Sequence, residues 1–380
     1  MMRSVGIVCE YNPFHLGHAR QLEAVRRMAP EAAVVCLMSG FYVQRGQPAV
    51  FDRTVRTKAA LLAGADLVLE LPVTVSLRSA EGFAAGAVEL LSRLGVEGLC
   101  FGAETAGREQ LLDTARVLLD SRLSEALRPY LDRGLSFPAA RSRAAADLGA
   151  DATVLERPND ILAVEYCKAI LAQGSKLTPL PIARPGDYHA READRDNPSA
   201  TALRLRILTG QPWLSYVPEA VRPAYAGAAP HSLALGERAI LARLRTLEPE
   251  DFAVLPGAAE GLWRKLCREC RRQNTLEEIL TAVKSKRYTR SRLDRMVLCA
   301  CLGLSAAELS AEAPYVRILG FRDRGRELLR HADGGLPLAH AGQTRKGAYA
   351  LVEKRCRSFY GLFAREVEGP EEKQQVLVLP

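Results

Sequence analysis

Residues 5–9, Val-Gly-Ile-Val-Cys, form a short unbroken apolar run that fits a buried strand. Asn12-Pro13 ends it, because proline fixes its own φ and pushes the preceding residue out of helical space. Apolar positions then recur at helical spacing, with Leu22 and Val25 on one face. The same alternation repeats downstream. Residues 32–38 are a second apolar run, 52–63 a second helix, and 68–71 a third strand. Residues 79–94 follow as a helix with Phe83, Val88 and Leu91 apolar, and 98–101 as a fourth strand with Gly102 just past its end. Strands and helices alternating through short links predict an α/β fold, a Rossmann-like parallel sheet with helices on its faces. Ligands of such sheets sit at the carboxyl ends of the strands. That edge would hold His15, the loop 39–46 and Glu70.

Residues 109–133 read as one or two helices and 138–148 as another. Asn159 or Asp160, after Pro158, is the expected N-cap of a helix carrying Ile161, Val164 and Ile170. Capping alone would account for Asn159, and a nucleotide contact is the other reading. Residues 177–182 give a further strand, and Arg184 leaves its end, where a cation suits phosphate or ribose. Ser199 is the expected cap of the next helix, with Thr201 in its first turn and Arg204 one turn on. This second helix N-terminus could share a triphosphate with the first. A Pro-rich stretch over 212–229 suggests a boundary between a catalytic domain, 1–220, and a mainly helical domain, 221–380. Within the latter, 231–304 is helical by pattern, 314–321 a strand or turn, and 325–331 a helix. The last fifteen residues carry no strong signal.

The chain has 380 residues, 48% of them hydrophobic and 25% charged, which suits two or three ordinary globular domains. No apolar run approaches the roughly 20 residues of a membrane helix, and the short N-terminal run is not a signal peptide. Nine scattered cysteines, an odd number, predict reduced thiols and a cytoplasmic protein. Cys267-x-x-Cys270 and Cys299-x-Cys301 fit buried thiols better than a zinc site, so no metal is expected there. Residues 231–380 hold 26 Lys and Arg against 19 Asp and Glu, whereas residues 1–230 hold 26 against 25. The excess of positive charge therefore lies in the C-terminal part and points to an acidic partner, most simply a nucleic acid. Its densest run is 284–295, KSKRYTRSRLDR, with six basic residues and one aromatic.

The sharpest signal is His15-x-Gly17-His18 at the turn from the first strand into the first helix. A helix N-terminus offers backbone N–H groups and partial positive charge to phosphate. Gly17 lets a polyphosphate approach the backbone. Two imidazoles can donate to phosphoryl oxygens as charge grows in the transition state. A turn histidine plus a capping histidine is the plainer explanation of the same residues.

The segments GIVCEYNPFHLGH, MSGFYVQRGQPA, FGAE, PNDILAVEY, SATALR, KSKRYT and YVRILGF occur in that order. Together they resemble the tRNA(Met) cytidine acetate ligase family, within the wider HxGH nucleotidyltransferase superfamily. The resemblance implies activation of acetate by ATP as acetyl-adenylate, then acetylation of N4 of the wobble cytidine, position 34, of elongator tRNA(Met). The reading of the residues themselves gives the catalytic roles, with His15 and His18 on the phosphoryl charge and Ser199 and Arg204 on the pyrophosphate end. The resemblance maps ATP contacts to Ile7, Val8, Cys9, Glu10, Tyr11, Asn12, Pro13, Phe14, His15, Leu16, Gly17, His18, Ala19 and Arg20, with Gly102, Asn159 and Arg184. Lys284, Lys286, Arg287 and Arg290 are the candidates for tRNA. Glu10 and Glu70 are candidate bases for the cytosine amine. Mg2+ could accompany ATP, but no residue pattern calls for it. One departure is Phe41, where the family pattern leads us to expect Asn. The competing readings are a small-molecule adenylyltransferase using the same site and a non-catalytic tRNA-binding protein.

Overall fold

The computed structural model describes residues 2–105, 107–183, 198–258, 261–285, 288–331, 335–369 and 374–380. The first strand, β1, is Ser4–Cys9, followed by helix α1, Leu16–Met28. Then come β2 (Ala33–Ser39), α2 (Arg53–Leu62), β3 (Leu67–Leu71), α3 (Ala80–Arg93) and β4 (Gly98–Ala103). Helix α4 (Pro158–Ala172), strand β5 (Thr178–Ala183) and helix α5 (Ala200–Leu208) complete this run. The five strands are parallel in the order β3-β2-β1-β4-β5. All seven residues of β2 are buried, as expected of a strand covered on both faces. Its side chains alternate between two cores. Val35 and Leu37 pack with Leu67, Leu69 and helices α3 and α4. Val34, Cys36 and Met38 pack with Leu22 and Val25 of α1 and Leu61 of α2.

Several expected boundaries shift by a residue or two, as helix ends do. Gly102 lies inside β4, paired with Ile182, rather than just past the strand's end. The Pro-rich stretch forms two short 3-10 turns, Leu214–Tyr216 and Glu219–Tyr225. Val217, Val221 and Tyr225 are buried against the sheet, so this stretch packs as part of the first body.

Helices α6 (Glu237–Thr246), α7 (Leu262–Arg272), α8 (Leu276–Val283) and α9 (Arg290–Leu302) build a separate apolar core. Strand β6 (Val316–Phe321) then returns to the sheet, antiparallel to β3. Strand β7 (Leu338–His340) pairs beside β6, and helix α10 (Ala348–Tyr360) packs back on the helical core. The final strand, β8 (Leu377–Val378), pairs with β6 although its residues carry no sequence signal. The sheet therefore draws strands from both sides of residue 220.

Arg56 of α2 is fully buried behind the carboxyl edge. It donates to the carbonyls of Phe51 at 2.9 Å, Glu10 at 2.8 Å and Ser39 at 2.8 Å, and to that of Gly40. The carbonyls of Glu10, Ser39 and Gly40 lie at or just past the ends of β1 and β2, where ladder partners run out, and that of Phe51 lies just before α2. Replacing Arg56 with Met leaves them buried without donors, so Arg56→Met is expected to lower the unfolding free energy by about 3 kcal/mol. Urea denaturation measures this, and an unchanged midpoint would contradict the assigned role.

Candidate nucleotide site at the carboxyl edge

His15 is the N-cap of α1, and the two histidines form a reciprocal capping box. The Gly17 N–H donates to His15 Nδ1 at 3.1 Å, and the His15 N–H donates to His18 Nδ1 at 3.3 Å. A ring nitrogen that accepts carries no proton, so each neutral imidazole has its proton on Nε2. The rings stack with centroids 3.9 Å apart and planes 27° apart. Tyr11 and Phe14 frame His18 at 5.0 and 5.6 Å. His15 is fully buried, whereas Leu16, Gly17, His18 and Ala19 are half-buried and Arg20 is exposed. The capping explanation thus holds, and it coexists with a donor role because capping engages the Nδ1 atoms and leaves protons on Nε2.

Of the segment mapped to ATP, Ile7, Cys9, Tyr11 and Phe14 are core residues, so a ligand would meet their backbone. Asn12 Oδ1 accepts from the Val50 N–H at 2.7 Å. Arg204 Nη1 donates to the Asn12 carbonyl at 2.8 Å, and its Nη2 to Thr201 Oγ1 at 3.0 Å. Ser199 caps α5, accepting from the Ala202 N–H at 3.3 Å. The two helix starts carrying His18 and Arg204 are therefore tied into one loop.

Glu10 Oε1 accepts from the Gln44 N–H at 2.7 Å. Burial pushes its pKa up, opposed by that N–H and by Arg204, Arg45 and Arg56. Glu70 is ion-paired with Arg53 instead. Burial raises its pKa too, against the pull of Arg53. This pairing takes Glu70 out of contention as a base.

At the end of β4, neither Asn159 nor Asp160 caps α4. The cap is Arg157, with Pro158 in the first turn, where its missing N–H costs nothing. Asp160 is fully buried and accepts from the Glu104 N–H at 2.6 Å, the Thr105 N–H at 3.1 Å and Thr105 Oγ1 at 2.6 Å. Asn159 Nδ2 donates to Glu104 Oε1 at 2.5 Å. These bonds set the loop that follows Gly102, a task sequence spacing does not reveal. Arg184 lies outside the described residues, as do Lys286 and Arg287.

Phe41 has no polar task. It is buried in the helical core, 5.1 Å from the Tyr360 ring, with the Arg53 guanidinium 4.4 Å over its face. Beside it, Tyr42 OH donates to the Cys356 carbonyl at 2.9 Å. Gly46, at φ +76°, rests on the backbone of Asp294 and Arg295, where a Cβ would fall 2.4 Å from the Arg295 nitrogen. Arg295 Nη1 donates to the Gln44 carbonyl at 3.3 Å. The loop between β2 and α2 thus bridges the nucleotide edge and the helical core.

In the basic run, Lys284 is exposed. Arg290 is engaged by Glu277 at 2.7 and 2.8 Å and by Asp294 at 2.8 Å, so it is not the open cation expected. All nine cysteines are free and buried. Among the described residues no group of His, Cys, Asp and Glu is arranged to hold a metal, and no helix is long and apolar enough to cross a membrane. An open hollow of about 1030 Å3 lies at the opposite edge of the sheet, lined by Met2, Arg93, Glu97 and Lys176 among others, away from the histidines.

The model of the HIGH Nucleotidyl Transferase family matches residues 2–373, and the chain belongs to that family. It is 34% identical to the tRNA(Met) cytidine acetate ligase of Halothermothrix orenii, covering 93% of this chain and 92% of the relative. It is 39% identical to the protein of that name from Kosmotoga olearia, over 86% and 82% of the two chains. Among solved structures it resembles apo Thermotoga maritima TmcAL, with TM-score 0.90, 29% identity and coverage of 99% and 100%. The same protein bound with alpha-thio ATP matches with TM-score 0.86, 30% identity and full coverage of both chains.

The capping geometry is directly measurable. Nitrogen-15 NMR of the imidazoles at neutral pH is expected to show both His15 and His18 as the Nε2–H tautomer. A proton on Nδ1 of either ring would contradict the box.

Proposed function

We propose that this chain is an ATP-dependent ligase that acetylates N4 of the wobble cytidine of elongator tRNA(Met), using acetate. The observation that carries the reading is the pair of Nε2 donors on α1 tied through Arg204 to the start of α5, in a chain whose full-length relatives bear that activity in their names.

In the first step an acetate oxygen attacks the α-phosphorus in line. The bond to the bridging oxygen breaks and pyrophosphate leaves with its electron pair. His18, the half-buried one of the pair, donates from Nε2 to the phosphoryl oxygens, and His15 holds and supplements it. Ser199 and Arg204 grip the pyrophosphate end. Little covalent work is asked of the protein, and positioning supplies the rate. Gly102, Asn159 and Arg184 serve the nucleoside side. In the second step the cytosine amine attacks the carbonyl carbon of the mixed anhydride, AMP leaves, and the amine loses a proton. Glu10, whose pKa burial raises, is the candidate base for it.

The catalytic edge belongs to residues 1–220. Residues 221–380 bind the tRNA, with Lys284, Lys286 and Arg287 on the phosphate backbone, and Arg290 joins if phosphate displaces Glu277. An unpaired anticodon loop offers its bases without opening a duplex. Nine reduced thiols suit the cytoplasm.

Incubation with ATP, labelled acetate and elongator tRNA(Met), followed by nucleoside mass spectrometry, is expected to show labelled N4-acetylcytidine. Its absence with active ATP–pyrophosphate exchange on another acid would replace acetate. His18→Ala is expected to slow acetate-dependent ATP–pyrophosphate exchange on the order of a hundredfold. An unchanged rate would remove His18 from the phosphoryl site.

A further inference from the structure

We propose that the exposed face of α7 is a tRNA backbone contact surface, continuous with Lys284 and Arg292; this rests on the tRNA reading above. Four of the six cations in the basic run at 284–295 are described in the structure, and two of those four are committed inside the protein. Arg290 is neutralised by Glu277 and Asp294. Arg295 is turned inward onto the Gln44 carbonyl. The charge of that run therefore falls short of what the sequence advertises.

Helix α7, LWRKLCRECRR, carries Arg264, Lys265, Arg268, Arg271 and Arg272 against one acid, Glu269. Its apolar side, Leu262, Leu266, Cys267 and Cys270, is buried, which turns Arg264, Arg268, Arg271 and Arg272 to solvent. Three of the neighbouring cations are held by carbonyls, which orient a charge without cancelling it. Lys265 Nζ donates to the Val283 carbonyl at 3.2 Å, Arg271 Nη2 to Leu247 at 3.0 Å and Arg245 Nη2 to Gln273 at 2.9 Å. Arg268 is the one paired with Glu269, at 2.9 Å. Arg264 and Arg272 have no ion pair among the described residues.

The patch also joins the basic run in space. Val283, contacted by Lys265, immediately precedes Lys284, and Arg292 Nη2 reaches the Gly257 carbonyl at 2.8 Å, ahead of α7. Two aromatic faces lie within it, Trp263 under Arg264 at 4.9 Å and Tyr288 under Arg292 at 5.0 Å. Positive charge in a stripe, about 6 Å per turn-and-a-bit from Arg264 to Arg268 to Arg272, with aromatic planes beside it, matches a nucleic-acid backbone.

The test is binding of an unmodified elongator tRNA(Met) transcript, measured by filter retention across a salt series. The Arg264→Gln, Arg268→Gln, Arg272→Gln triple variant is expected to bind at least tenfold more weakly, with its log–log salt slope reduced by about 2 to 3. The Arg264→Gln, Arg272→Gln double variant, which breaks no ion pair among the described residues, is expected to show about two-thirds of that slope change. Melting temperatures equal to wild type exclude misfolding as the cause. If wild type binds the transcript and both variants match its affinity and slope, the surface assignment is overturned while the ligase reading stands. If wild type does not bind, both fall.

Discussion

One buried guanidinium holds the working edge of this protein together. Arg56 gathers carbonyls from the ends of β1 and β2 and from the loop that leads into α2. Parallel strands lose their ladder partners where they end. A planar cation with five donors satisfies several of the carbonyls left there at once. The segments that leave β1 at Glu10 and β2 at Gly40 both hang from this knot.

The histidine pair shows how a structural device can use one nitrogen of each ring and leave the other as a donor. Each imidazole has two nitrogens, and the capping box claims one from each ring. The remaining protons are then placed on Nε2 by default, with the rings stacked and Tyr11 and Phe14 bracing them. Preorganisation of this kind costs nothing at the moment of reaction, because the donors need not reorient when charge develops. His15 is the more deeply set of the two, and His18 is the one nearer solvent.

The loop between β2 and α2 joins the carboxyl edge of the sheet to the helical core. On one side its Gln44 N–H fixes Glu10 at the nucleotide edge. On the other, Phe41 and Tyr42 are sunk in the helical core, and Gly46 lies flat on the start of α9. Phe41 is consistent with this: an apolar ring at that position anchors the loop by burial, between Arg53 and Tyr360. The helices that carry the positive charge are thereby held against the carboxyl edge of the sheet.

The sequence by itself determined the parallel sheet, the helix faces at Leu22 and Val25, the cap at Ser199, and the edge where chemistry would gather. These follow from local periodicity and from short-range rules of backbone satisfaction, which a linear reading can see. Only the tertiary structure decided that Asp160 pins the loop after β4 rather than capping α4, that Glu70 belongs to Arg53, and that Arg290 belongs to Glu277. It also decided that Leu377 and Val378 finish the sheet and that Arg56 sits at its centre. A charged side chain takes whichever opposite partner folding brings near, often tens or hundreds of residues away, and a two-residue strand exists only because an edge is waiting for it. Neither fact is written in the spacing of neighbours.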